Sequence, residues 1–227
     1  MICYWDVQQN TPEWEGLRLG RVTSSRAEDA QRFLKPSYIP KTKKPKPPEE
    51  SAGRRNLRLA LALERITGQT QEDTRALDYV SQVQRGKQLQ REALDVYQRT
   101  HPLELRSIGF VAHDELWAGC SPDAIVWPRG VGDEMMGLVE VKCPTSSTHL
   151  ATLESVTVPQ DYVPQLHHQL FITEAPWVDL VSYDPRFWPD AQLVVHRFEP
   201  SFAERLAYAD VLRAFLHTVD AEEARLR

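Results

Sequence analysis

The chain has 227 residues, 41% hydrophobic and 9% aromatic, which suits one packed domain and argues against wholesale disorder. A formal net charge of -5 argues against a general nucleic-acid coat, but it leaves room for basic groups clustered on one face. No apolar run approaches the roughly 20 residues that span a membrane, and the N-terminus has no basic segment leading into an apolar one.

Three cysteines, Cys3, Cys120 and Cys143, show no disulfide-framework spacing and fit a reducing cytoplasm. Residues 11–19 read as a short helix: Thr11 caps it, Pro12 takes its first position and Gly20 ends it. A second helix starts behind Thr23–Ser25. Segment 35–50 holds five lysines and five prolines, so it reads as a long basic loop, either solvated or DNA-contacting. Residues 53–68 form a helix with Gly68 as its stop. Residues 86–100 form an amphipathic helix that buries Leu89, Ala93, Val96 and Tyr97.

Three antiparallel-type strand segments follow at 105–114, 116–128 and 136–144. Next come a helix over 160–173 and strands at 178–185 and 191–200. The last helix, 201–226, opens on a capping box of Ser201 and Glu204. Its apolar stripe is Phe202, Leu206, Ala209, Leu212, Leu216 and Val219. This order gives an α/β (mixed α+β) class: a central mixed β-sheet flanked by helices, in a single domain over 1–227.

Charge inside an apolar strand calls for a reason. In GLVEVKCP, Glu140 and Lys142 lie two apart and share one strand face. Asp123, from the neighbouring strand, can lie beside them. Two carboxylates at close range repel unless a cation sits between them. Oxygen ligands without clustered thiolates suit Mg2+ or Mn2+, and the Val141 carbonyl offers another oxygen. Lys142 can orient or help deprotonate a water, or stabilise charge on a phosphoryl group. The competing reading is an exposed Glu–Lys hairpin; the Gly119–Asp123 approach and the Pro144 stop favour a built site. His167 and His168 read as packing or surface residues. Cys120, Cys143 and His113 read as buried or ordinary residues rather than a zinc set.

These residues resemble a known pattern. Ser121-Pro-Asp123 followed by LVEVKCP looks like the core of the PD-(D/E)xK nuclease superfamily. WEGLRLGRVTSS (14–25), GKQLQREA (86–93), YVPQLHHQL (162–170) and Trp177 with YDPR (183–186) are similar, in order, to motifs of the lambda-exonuclease and YqaJ-type viral recombinase family. The resemblance runs from about residue 10 to 200 and implies a restriction-endonuclease-like core.

It further implies that Asp123, Glu140 and the Val141 carbonyl hold Mg2+, with Mn2+ as an alternative, two ions per site. Lys142 and Gln165 would be catalytic, Gln165 binding phosphate or water. Gln90 falls where the family has a helix glutamate and would contact the second metal or its water. Glu92 is two residues on, about 200° around a helix, and should face away. Arg18 and Ser25 would hold the terminal 5′-phosphate, with Ser121 reaching it. Gln169 shares the helical face of Gln165 without a family role.

The implied activity is a Mg2+-dependent 5′-to-3′ exonuclease. It would degrade one strand of linear double-stranded DNA to 5′-mononucleotides and leave 3′ overhangs for recombination by strand annealing. An endonuclease or nickase on the same core, or a non-catalytic DNA-end-binding protein, are the alternatives. The implied partners are double-stranded DNA ends, a homotrimeric ring and a single-strand annealing protein, in the cytoplasm of a bacterial host with no membrane. Arg54, Arg55 and the lysines of 41–46 would face the ring's channel, and Val83, in a loop before Gly86, would act as an apolar wedge.

Overall fold

The computed structural model describes residues 1–34, 48–71, 81–101, 103–128 and 135–227, with backbone alone for 81–85 and 87. Its larger sheet runs β3 (Glu104–Arg106), β6 (Ala124–Trp127), β7 (Gly137–Lys142), β8 (Val178–Tyr183), β9 (Leu193–Phe198). β7 and β8 are parallel; the other neighbours are antiparallel. A smaller sheet orders β1 (Ile2–Tyr4), β4 (Phe110–Ala112), β5 (Ala118–Cys120) and β2 (Val22–Thr23), with β2 parallel to β5. The described helices are α1 (Pro12–Arg18), α2 (Ala27–Gln31), α3 (Ala52–Thr67), α4 (Ser81–Thr100), α5 (Ser146–Glu154), α6 (Val163–Thr173) and α7 (Phe202–Leu226). The expected mixed α/β class is the one found.

The period of two along β7 builds two cores. Leu138, with Ile125 and Leu180, meets Leu61 of α3, Leu166 and Leu170 of α6, and Leu212 and Phe215 of α7. Val139 and Val141, with Val126 and Val181, meet Ala93 and Tyr97 of α4 on the other face. Each buried Leu, Ile, Val or Phe among them contributes roughly 1.5–3 kcal/mol. Glu140 and Lys142 therefore share the face of Leu138, the one that α6 covers.

Several boundaries differ from the sequence reading. The segments 105–114 and 116–128 are not continuous strands: β3 and β6 lie in the larger sheet, β4 and β5 in the smaller. The chain crosses at Gly109, where a side chain would strike the Val7 carbonyl, and at Pro122, which has no N–H for a ladder. The smaller sheet was not expected, because β1 and β2 are too short to show an alternating pattern.

The helix expected from 86 begins at Ser81, so Val83 is in helix rather than loop; its side chain, and residues 35–47 with their lysines, lie outside the described residues. Arg54 is buried, not turned to a channel: it pairs with Glu50 at 3.0 Å and stacks over Phe33 and Phe215. Phe202 and Leu206 do not join the buried stripe of α7 and are 81% and 50% exposed. Burial along that helix starts at Tyr208, so its first two turns are not covered by the core.

His168 ties α6 to the smaller sheet and to α7. Fully buried, it sits 2.6 Å from the Tyr208 hydroxyl and 3.0 Å from the Gly119 carbonyl. The carbonyl can only accept, so Nε2 carries the proton and Nδ1 accepts from Tyr208. Burial pulls its pKa down to about 4. The folded value lies below the unfolded one, so stability falls as pH drops below about 6.5. We expect this residue alone to cost about 2 kcal/mol between pH 7 and pH 5. Denaturant unfolding at both values should show that loss in the wild type, with a correspondingly flatter profile in His168→Gln.

Candidate active site

The antiparallel register pairs Ala124 with Val139, so Asp123, one residue before β6, stands across from Glu140. Asp123 Oδ2 accepts the Val141 N–H at 2.7 Å, and Oδ1 accepts Gln90 Nε2 at 2.6 Å. Glu140 is buried in mid-strand. Its Oε1 accepts Lys142 Nζ at 2.7 Å and Gln165 Nε2 at 2.5 Å, and its Oε2 accepts Gln169 Nε2 at 2.6 Å. The Gln165 amide closes a triangle, because its Oε1 accepts Lys142 Nζ at 2.9 Å. Tyr162, at the N-terminal cap of α6, sets its ring 5.6 Å from that ammonium.

Gln165 and Gln169 are one helical turn apart, which is why one helix supplies both donors. Glu92 does face away: it accepts the Tyr183 hydroxyl at 2.6 Å.

The electrostatics follow from this placement. Burial, then the charge of Glu140, pushes the Asp123 carboxyl well above the usual range, against the opposing Val141 N–H and Lys142. Burial alone would lower the Lys142 ammonium, but the charge and hydrogen bond of Glu140, with Asp123, outweigh it and raise its pKa. Among the described residues the site holds one cation against two carboxylates, and part of that charge is met by neutral amides.

An oxygen-only donor set short of positive charge fits Mg2+ or Mn2+. Asp123, Glu140 and the Val141 carbonyl could hold one. Gln90 leaves the acidic side thin: no three His, Cys, Asp or Glu side chains gather at a possible metal site among the described residues. A cleft of about 540 Å³ opens beside Asp123 and Gln90, walled by Trp5–Asn10, Arg91 and Ser107–Gly109.

A second group forms at the end of the parallel pair β2/β5. Thr23 pairs with Gly119, so Ser25 and Ser121 both emerge two residues further on. Trp14 links two of the expected phosphate residues. Its indole N–H lies 2.8 Å from the Ser121 hydroxyl and 3.1 Å from the Gly109 carbonyl, while Arg18 stacks 4.0 Å above its ring. Ser25 lies 3.3 Å from the Thr23 hydroxyl. Behind them buried Glu64 accepts from both terminal guanidinium nitrogens of Arg26, at 3.0 and 2.8 Å, and from the Gly20 N–H at 2.8 Å, pinning this turn.

Sequence reasoning missed the roles of Trp14, Glu64 and Gln9. Gln9 donates to the Ile108 and Pro122 carbonyls and so holds the N-terminal segment over the sheet crossing. No local pattern announces such long-range bonds. Gln169 was detectable by its helical spacing from Gln165.

The model of the YqaJ-like viral recombinase domain matches residues 13–176. The chain belongs to the YqaJ-like viral recombinase family. Among solved structures it is similar to an alkaline exonuclease from Laribacter hongkongensis. That match has 29% identity, covers 95% of this chain and 96% of that one, and has a TM-score of 0.76. A structure of the same protein in complex with dAMP matches at 30% identity over 95% and 96%, also with a TM-score of 0.76. A phage-related exonuclease from Haemophilus somnus 129PT shares the fold at 11% identity, 91% and 94% coverage and a TM-score of 0.58. No curated protein sequence matched. This YqaJ-like chain has the PD-(D/E)xK nuclease fold, and its Asp123, Glu140 and Lys142 converge where the sequence motif placed them.

The buried charge makes a prediction. Asp123 has a raised folded pKa, so ionising it at neutral pH costs stability. In Asp123→Asn, Oδ1 can take the Val141 N–H, and Gln90 can turn its amide to meet the new N–H. We expect the variant to melt about 3 °C higher than wild type in EDTA at pH 8, and we expect added Mg2+ to raise the Tm of the wild type but not of the variant. Thermal unfolding with and without metal measures both effects.

Proposed function

We propose that this chain is a metal-dependent DNA exonuclease, a single nuclease domain over 1–227. It would degrade one strand of linear duplex DNA from the 5′ end to 5′-mononucleotides and leave 3′ overhangs for strand annealing. The observation that carries the reading is the convergence of Asp123, Glu140, Lys142 and Gln165 at the end of β7. Family membership and the likeness to an alkaline exonuclease support it.

Asp123, Glu140 and the Val141 carbonyl would hold a divalent cation, Mg2+ or Mn2+ and two per site, which would supply a Lewis acid against charge building on the phosphoryl oxygens. Lys142, an ammonium held beside Glu140, orients the attacking water by a hydrogen bond or meets the negative charge on a phosphoryl oxygen. Gln165 fixes both partners, since its two amide atoms bind Glu140 and Lys142. Arg18, stacked on Trp14, with Ser25 and Ser121, takes the terminal 5′-phosphate, because a planar guanidinium matches an anion in bidentate fashion. A homotrimeric ring around the DNA, a single-strand annealing partner and a bacterial cytoplasm complete the reading. Among the described residues no helix is long and apolar enough to cross a membrane.

Nucleotide release from linear duplex, labelled at each end in turn, tests the activity and its polarity. We expect Mg2+-dependent release from the 5′ end, faster for 5′-phosphorylated than for 5′-hydroxyl DNA. Arg18→Ala should narrow that gap, and Asp123→Ala should lower the rate by on the order of 100-fold or more. Equal rates on both ends in the wild type would remove the phosphate pocket; release unaffected by EDTA would remove the metal.

Gln90 is a neutral neighbour of Asp123 where an acid would bind a cation more strongly. Gln90→Glu should therefore lower the Mg2+ concentration for half-maximal release several-fold, and an unchanged requirement would place Gln90 outside the metal shell.

A further inference from the structure

One residue of the cluster has no task in this reading. Gln169 is fully buried on α6. Its Nε2 donates to Glu140 Oε2 at 2.6 Å, while its Oε1 finds no donor among the described residues. A buried amide oxygen left unpaired costs about 1–3 kcal/mol. Turning the amide over does not help, since it would set that oxygen against a carboxylate oxygen. Leucine or methionine would fill the same volume without the unpaired group. What the glutamine supplies in return is the bond to Glu140.

That bond has a mechanical effect. Lys142 and Gln165 both bind Oε1. Bonds to one oxygen leave a carboxylate able to turn about its terminal torsion, which is soft and broad. A donor on Oε2, from a side chain locked in the core, removes that freedom.

We propose that Gln169 is a positioning residue for the metal centre: it fixes the carboxylate plane of Glu140 from the buried side, so that a divalent cation meets a preset ligand. Partners that orient ligands in this way are worth about 10- to 100-fold in metal affinity. The proposal rests on the metal-centre reading above and assigns Gln169 no contact with DNA.

Calorimetric titration of Mn2+ into the full chain, without DNA, tests it in wild type, Gln169→Met and Gln169→Asn. Methionine fills the space without a donor. Asparagine keeps the amide but draws it back by one methylene, and carries the test if the methionine variant does not fold. We expect both to bind Mn2+ about 10- to 100-fold more weakly than wild type. With DNA, the Mg2+ requirement should rise in parallel while KM for the duplex stays unchanged. Wild-type Mn2+ affinity in the folded variants, with only Tm altered, would make Gln169 a packing residue and overturn the proposal alone. A wild type that binds no Mn2+ would overturn the metal-centre reading and this proposal with it.

Discussion

Two carboxylates held face to face at the end of a buried strand pair are the constraint around which this molecule is arranged. Asp123 and Glu140 cannot move apart. One is held by the Val141 N–H and the Gln90 amide, the other by Lys142, Gln165 and Gln169. Burial first, and then their repulsion, raises the pKa of Asp123, and among the described residues one ammonium, Lys142, meets that repulsion only in part. A fold selected for stability alone would place an apolar or amide side chain at one of the two positions. Retaining both acids makes sense when a cation completes the set.

The rest of the fold serves that placement. β7 is covered on both faces, so its register is fixed by the apolar residues either side of Glu140 and Lys142. α6 lies on the acidic face and delivers two glutamines one turn apart. The crossing at Ser121–Asp123 carries the chain from one sheet to the other. It brings a group built on Trp14 and Ser121 into the same short segment as the acid. The candidate metal ligand Asp123 and the candidate phosphate-binding Ser121 are thus two residues apart in the chain, which suits the end-dependent exonuclease proposed above.

Much of this was legible in the residues. Alternation fixed the face shared by Glu140 and Lys142, Thr11 caps its helix and Gly68 ends its own as their types require, and Ser201 and Glu204 form the capping box. The spacing of Gln165 and Gln169 put them on one helical stripe, and the roughly 200° between Gln90 and Glu92 separated their partners correctly. What could not be read depends on tertiary pairing. β1 and β2, of three and two residues, exist because they find β4 and β5, not because of their own pattern. Arg54 looks like a surface cation by type, but Glu50 and two aromatic rings draw it inside. Phe202 and Leu206 keep the helical period of the buried stripe, yet the core does not extend that far along α7.

The most direct test is a crystal structure grown with Mn2+ and examined by anomalous scattering. The account expects an anomalous peak between Asp123 and Glu140, about 2.1 Å from an oxygen of each, with Lys142 Nζ still against Glu140. A well-ordered site with both carboxylates as described here and no anomalous peak beside them at saturating Mn2+ would contradict it.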